Sequence, residues 1–91
     1  MFIVIAYDVS TQDKAGATRL RRVARTCQDY GQRVQNSVFE CKLDKQHWVV
    51  LRDKLLKIID QKQDSLRIYF LDKDVQIEHI GCKKPIDFEE P

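Results

Sequence analysis

The amino-acid sequence predicts an α+β sandwich, because segments typical of strands alternate with segments typical of helices. Strands are predicted at 2–8 and 66–71, which are rich in β-branched and aromatic residues, and 33–43 is extended by composition. Apolar residues at helical spacing predict helices at about 15–30 and 45–60. Because a crossover helix folds back right-handed onto its own sheet, two such strand–helix units place both helices on one face.

The boundaries of these elements follow from single residues. The apolar run before Asp8 suggests a first strand that is buried on both faces. Cap-forming residues at 9–14 precede the first helix, and Gly31 is expected to end it as the C′ residue. Asp44 is a good N-cap for the second helix.

Two later segments leave the topology partly open. The Asn-Ser pair at 36–37 turns segment 33–43 into a short hairpin or only bends one strand. Residues 75–80 predict an extra strand after the closing one, and such an edge needs a partner, most simply a second copy of the chain. We therefore predict a homodimeric, ferredoxin-like βαββαβ sandwich with an extra C-terminal strand. Residues 1–81 form its single domain, and 82–91 form a tail that is a candidate edge strand against the partner subunit.

Composition narrows the class of protein. The net charge of +2 is too weak to indicate nucleic acid by itself, so the distribution of charge has to decide. Three cysteines without a C-x-x-C pair, Cys27, Cys41 and Cys82, favour reduced thiols in a cytosol over a disulfide framework. The apolar start is too short to cross a bilayer, so we expect a cytoplasmic protein without membrane contact. The chain has no glycine-rich phosphate loop, no zinc pattern and no dinucleotide fingerprint.

Asp8 is a carboxylate at the end of the most apolar strand. An isolated aspartate in such a place commonly caps the next helix or anchors a loop. It also suits Mg²⁺, which takes oxygen ligands and keeps several waters, so that one or two protein carboxylates suffice. In a two-fold dimer Asp8 would meet its own copy, and a divalent cation would relieve the repulsion between the two carboxylates. Both roles remain open from the residues alone.

Arginines are concentrated in the first helix, where Arg19, Arg21, Arg22 and Arg25 lie within seven residues. On a helical wheel Arg19 and Arg22 flank the apolar stripe, and the other two lie on the solvent side. A solvated face is the common explanation of such a run. However, solvated faces usually mix signs, and Asp29 is the only acidic residue of this predicted helix. Because arginine forks match phosphate oxygens, the composition favours contact with phosphate.

Several stretches together carry a resemblance to a known family. They are the Tyr7-Asp8 pair, the arginine-rich helix, "YGQRVQNSVFECKL" at 30–43, "SLRIYFL", and the closing "IEHIG". Over about residues 1–81 the chain resembles the small CRISPR-associated endonucleases of spacer acquisition, the Cas-two family. The resemblance implies a homodimer that cleaves RNA or double-stranded DNA with Mg²⁺, one ion being shared between the two copies of Asp8. It also implies a bridge between two copies of the spacer integrase.

The resemblance also implies roles for single residues. Arg22 and Arg33 match the family pattern best as phosphate contacts, and Phe39, a core residue by its strand alternation, falls near the dimer centre. Asn36 stands where relatives frequently have an aromatic or basic residue, so no substrate contact is carried over to it. The residues expected to bind nucleic acid are Arg19, Arg22, Arg25 and Arg33.

Two functions from different classes follow from these observations. The first is a metal-dependent phosphodiesterase with Asp8 as catalytic metal ligand, because a cation there would activate water for attack on phosphate. The alternative is a non-catalytic, dimeric DNA-bridging scaffold of spacer acquisition, which the single carboxylate per chain keeps open. A toxin-like ribonuclease or effector-binding domain on the same fold is a third class, against which "RVQNSVFE" argues. No aromatic stacking motif or 2′-hydroxyl reader is recognisable, so RNA and DNA both remain open as substrates.

Overall fold

The structure is a computed structural model that describes residues 1–81. Its elements in chain order are β1 (Phe2–Asp8), α1 (Lys14–Gln28), β2 (Gly31–Gln35), β3 (Val38–Lys42), α2 (Lys45–Ile58) and β4 (Ser65–Leu71). The sheet order is β2-β3-β1-β4, and each neighbouring pair is antiparallel. This arrangement confirms the predicted ferredoxin-like βαββαβ sandwich.

Alternation along β1 separates the two faces of the sheet. Ile3, Ile5 and Tyr7 are buried, whereas the residues between them are half-buried and Asp8 is exposed. The buried side chains form one cluster with those of both helices, including Val23 and Leu51. Both helices therefore cover the same face of the sheet. We call the other face, which carries Asp8 and no helix, the open face.

The predicted burial of β1 on both faces is therefore wrong for the single chain. Phe2, Val4 and Ala6 lie on the open face and stay half-buried, because only the other face is covered by helices. Apolar side chains at these positions explain why the sequence reads as a continuous hydrophobic run. The open face is thus more apolar than a surface that faces only water.

Helix starts follow the predicted capping chemistry. The Asp13 Oδ1 accepts from the backbone N–H of Gly16 at 2.8 Å, and the Asp44 Oδ1 accepts from the backbone N–H of His47 at 2.8 Å. The expectation that Gly31 ends α1 is wrong, because α1 ends at Gln28 with Asp29 as its C-cap. Gly31 instead opens β2, where an added Cβ would lie 2.1 Å from the backbone oxygen of Glu40. Close approach of two strands, and not a turn, requires glycine there.

Segment 33–43 forms a hairpin, which settles the choice left open by the sequence. The turn lies at 36–37, and the pairing shifts between Arg33↔Phe39 and Gln35↔Val38. Arg33 holds this turn, since its Nε and Nη2 donate to the backbone oxygen of Asn36 at 2.9 and 2.7 Å. The shift in pairing is typical of a β-bulge, which bends an edge strand locally.

The extra strand predicted at 75–80 is not observed. After β4 the chain turns, with the Val75 backbone N–H donating to the Asp72 oxygen at 3.1 Å, and 75–80 have no strand pairing within residues 1–81. The outer edges of β2 and β4 are the ones that a further strand could join, and within residues 1–81 segment 75–80 joins neither of them. The predicted tail at 82–91, with its pairing to a partner, lies outside the described residues. Neither helix of the described part is long and apolar enough to cross a membrane.

Two of the cysteines sit deep in the core. Cys27 of α1 and Cys41 of β3 are free thiols with no exposed surface. Burial, with a smaller contribution from the Glu40 carboxylate, raises the pKa of the Cys41 thiol to about 11. Burial also raises the pKa of Cys27. Both residues therefore act as apolar core side chains and not as nucleophiles.

Candidate functional site

Asp8 lies at an open pocket where β1 and β4 end together. It is the last residue of β1 and pairs in register with Ser65, the first residue of β4. The carboxylate is exposed on the open face and has no hydrogen-bond partner among residues 1–81. Asp13 caps α1, so the capping role considered for Asp8 belongs to another residue. The pocket has a volume of about 360 Å³ and is lined by Ala6, Tyr7, Asp8, Ser37, Ser65, Arg67 and Tyr69.

Arg67 and Tyr69 of β4 share this pocket with Asp8. They pair in register with Ala6 and Val4, which places both side chains on the open face. Arg67 Nη1 donates to the Tyr69 hydroxyl at 3.3 Å, and this bond raises the pKa of Arg67. Neither residue was predicted as a site residue from the sequence. The available signal was the alternation in "SLRIYFL", which puts its serine, arginine and tyrosine on one face.

A buried hydrogen-bond network lies directly behind Asp8, on the helix side of the sheet. The Asp64 side chain has no exposed surface and accepts from Arg19 Nε at 2.8 Å and from Arg19 Nη2 at 3.0 Å. It also accepts from the Asp60 backbone N–H at 2.9 Å and from the Tyr7 hydroxyl. Burial alone would raise the pKa of Asp64, but the bonds from Arg19, Tyr7 and Asp60 outweigh it and lower that pKa. Burial and the adjacent Asp64 carboxylate raise the pKa of Tyr7.

This network corrects the expectation for Arg19 as a phosphate contact. Its side chain is only 15% exposed, and the fork that would bind phosphate is occupied by the Asp64 carboxylate. Asp64 was missed because it reads as part of a polar loop, 45 residues from Arg19. Arg19 is thus a structural residue that ties α1 to the start of β4.

The other predicted arginines are not brought to Asp8. Arg22 and Arg25 are exposed on α1, on the helix side of the sheet, with no acidic partner within 4.0 Å among the described residues. Arg33 is half-buried beside the hairpin turn, and burial lowers its pKa. Within one chain, the arginine surface of α1 and the Asp8 pocket therefore lie on opposite sides of the sheet.

Phe39 is a core residue, as its place in the strand predicts. Its side chain has no exposed surface, and the Arg33 guanidinium carbon lies 6.0 Å from its ring centroid. The position near a dimer centre, which the family resemblance implies for Phe39, stays a prediction.

The donor set of the pocket fits a hard divalent cation that keeps most of its waters. No group of three or more His, Cys, Asp or Glu side chains within residues 1–81 is placed to hold a metal ion. Among residues 1–81, Asp8 is the only carboxylate in the lining of the pocket, and Ser37 and Ser65 are residues with a hydroxyl beside it. Mg²⁺ tolerates such sparse protein ligation, because one or two carboxylates with waters complete its octahedron. A second Asp8 from another copy would supply the second carboxylate.

Fold and pocket together define a small ferredoxin-like domain with an unpaired strand-end carboxylate beside an arginine. A sequence profile described as CRISPR associated protein Cas2 matches residues 1–77. The chain therefore belongs to the Cas2 family of CRISPR-associated proteins.

Relatives of known name and structure support this assignment over nearly the whole chain. The CRISPR-associated endoribonuclease Cas2 of Chlorobaculum tepidum is 56% identical over 91 residues, covering 98% of this chain and 95% of the relative. The CRISPR-associated endonuclease Cas2 of Halalkalibacterium halodurans is 50% identical over 93 residues, covering 100% and 97%. The crystal structure of Streptococcus pyogenes Cas2 at pH 6.5 superimposes with a TM-score of 0.83 at 49% identity, covering 89% of this chain and 100% of that one.

Proposed function

We propose that the protein is a Mg²⁺-dependent endonuclease of CRISPR spacer acquisition, which hydrolyses phosphodiester bonds in RNA or double-stranded DNA. The observation that carries the proposal is the exposed, unpaired carboxylate of Asp8 in an open pocket at the end of β1. Relatives named endoribonuclease and endonuclease support a nucleolytic activity, and these names are compatible with RNA and with DNA as substrate.

Asp8 would be the residue that holds the metal. Bound Mg²⁺ would neutralise charge on the phosphate and activate water for the attack. The chain contributes a carboxylate that no side chain among residues 1–81 neutralises, held at the end of β1 by its pairing with Ser65 of β4. Such a rigid placement keeps the ligand in position without further ordering.

A homodimer built on the open face would complete this site. Phe2, Val4 and Ala6 are half-buried there, so the face offers apolar surface to a second copy. Because Asp8 lies on the same face, a two-fold axis across it would bring the two Asp8 carboxylates together around one Mg²⁺. The cation would offset the repulsion between them.

The exposed arginines of α1 would hold the nucleic-acid backbone. Arg22 and Arg25 project from the helix side and are free to contact phosphate without reading bases. Arg33 would contribute less to phosphate binding, because two of its nitrogens already donate to the backbone oxygen of Asn36. In the spacer-acquisition complex this surface would bind the DNA that the protein bridges between copies of the integrase.

A second candidate is a non-catalytic scaffold with the same dimer and the same DNA surface. It is favoured by the pocket lining, in which the described residues supply a single carboxylate, fewer than phosphodiester hydrolysis commonly uses. In that case Asp8 would affect metal binding or dimer geometry but not turnover.

Cleavage by matched variants tests the two functions. The parent, Asp8→Asn and Asp53→Asn are compared on RNA and on duplex DNA, with Mg²⁺ and with EDTA. Asp53 is an exposed carboxylate of α2, so its variant controls for the loss of one charge. The nuclease proposal expects Mg²⁺-dependent cleavage by the parent and by Asp53→Asn only. Equal cleavage by all three would exclude Asp8 as the metal ligand, and no cleavage with intact DNA binding would favour the scaffold.

A further inference from the structure

Arg67 is the arginine that shares the open face with Asp8. Asp8 pairs with Ser65, and Arg67 lies two residues farther along the same strand. It is therefore a diagonal cross-strand neighbour of Asp8, at about 7–8 Å between backbones, which a long side chain can span. Both side chains line the same pocket of about 360 Å³.

The remaining arginines of the described residues are committed elsewhere. Arg19 holds Asp64, and Arg33 pairs in register with the buried Phe39 on the helix side. The others lie on the two helices, which cover the face opposite Asp8; they are Arg21, Arg22, Arg25 and Arg52.

Arg67 and Asp8 occupy one pocket without pairing. No ion pair joins them within 4.0 Å, although both are exposed and oppositely charged. The Tyr69 hydroxyl instead accepts a hydrogen bond from Arg67 Nη1 at 3.3 Å, and this bond orients the guanidinium. The edge formed by Nε and Nη2 has no hydrogen-bond partner among the residues that the structure describes. The same edge of Arg19 binds a carboxylate in two parallel hydrogen bonds.

We propose that Arg67 binds two non-bridging oxygens of the scissile phosphate through its Nε–Nη2 edge, with Tyr69 as the positioning residue that orients it. The assignment rests on the proposed function and adds to it the group that stabilises charge on the phosphate. A guanidinium fork matches two phosphate oxygens, and a fixed cation at the reacting group stabilises the charge that develops there. The ligand is the phosphodiester itself, so the contact carries no sequence preference.

Cleavage kinetics test the assignment with matched variants. Arg67→Gln should lower kcat/KM by about 100-fold or more, as expected for one lost charge-stabilising donor. Arg67→Lys keeps the charge without the fork and should recover part of that loss, and Tyr69→Phe should lose less than Arg67→Gln. Arg52→Gln removes the same charge from α2 and should behave as the parent. Equal kcat/KM for Arg67→Gln and Arg52→Gln would overturn the proposal.

Binding of duplex DNA in EDTA separates this assignment from the proposed nuclease activity. The slope of log affinity against log salt should fall by ~0.7–0.9 in Arg67→Gln and not in Arg52→Gln. If the parent does not cleave, the nuclease function fails, and an unchanged slope in Arg67→Gln would then overturn the role of Arg67 as well. Sedimentation gives the last control: a monomer formed only by Arg67→Gln would make Arg67 a dimer-interface residue and would contradict phosphate binding.

Discussion

Arg19 binds Asp64 through two parallel hydrogen bonds, Nε to Oδ2 at 2.8 Å and Nη2 to Oδ1 at 3.0 Å. The pair joins α1 to the residue that precedes β4, and the Tyr7 hydroxyl adds β1 to the same carboxylate. Three elements thus converge on one buried side chain, one residue away from the Asp8–Ser65 pair that ends the sheet. The network supports the candidate site from the helix side of the sheet, and Tyr7 belongs to both the network and the pocket lining.

Removing the Asp64 carboxylate should destabilise the fold more than any surface charge. In Asp64→Ala, Arg19 and Tyr7 would stay partly buried without their acceptor, and breaking such a pair costs roughly 3 kcal/mol. Urea denaturation of Asp64→Ala beside Asp53→Asn measures the difference. A loss in Asp64→Ala as small as that of the exposed control would show that water replaces the carboxylate.

The contribution of Asp64 should disappear in acid. Its pKa is lowered in the folded state, so the stabilisation is complete above the unfolded value of about 3.9 and is lost as pH falls through the folded value. The stability difference between parent and Asp64→Asn should therefore be constant from neutral pH to about pH 5 and should shrink below about pH 4. Denaturation curves at a series of pH values follow this difference, and a gap that widens in acid would contradict the sign.

Mg²⁺ should stabilise the parent and not Asp8→Asn. A ligand that binds only the native state adds about 2.7 kcal/mol at one hundred times its Kd. Asp8 has no hydrogen bond to lose within residues 1–81, so Asp8→Asn should unfold in EDTA at or above the Tm of the parent. Thermal melts with and without Mg²⁺ test both statements, with Asp53→Asn as the matched carboxylate variant. A Mg²⁺ response retained by Asp8→Asn would place the cation elsewhere.

Arg22 and Arg19 should respond differently to truncation, although both were expected to bind phosphate. Arg22→Ala removes an exposed guanidinium and should lower the salt slope of duplex-DNA binding by ~0.7–0.9 without affecting Tm. Arg19→Ala removes the partner of a buried carboxylate and should lower Tm. Salt titrations and melts of the two variants separate the roles, and identical behaviour in both assays would argue against them.

The sequence was sufficient for most of the fold because its elements are encoded locally. Asp44 caps α2 by accepting a hydrogen bond from the backbone N–H of the residue three positions later. The apolar stripe of α2 likewise lies within the helix itself. The site depended on pairings that no local pattern contains. Alternation in β4 puts Arg67 on one face, but only the register with β1 places it beside Asp8.

The errors have the same origin. Arg19 looked like its neighbour Arg22, since nothing near it in sequence indicates the acid that binds it. Segment 75–80 has the composition of a strand, but composition does not specify its partner, and in the single chain it pairs with no strand among residues 1–81.

Because Cys27 and Cys41 are buried, the reactivity of their thiols can be used to measure unfolding of the native protein. With both thiols unexposed, and with a pKa of about 11 for Cys41, a thiol-specific reagent can modify them only when the core opens. One thiol sits on α1 and the other on β3, within one core cluster, so their labelling reports the opening of the core that helix and sheet share. Once Cys82 is replaced by serine, the rate at which the reagent modifies these two thiols would measure how often the native protein opens in the absence of denaturant.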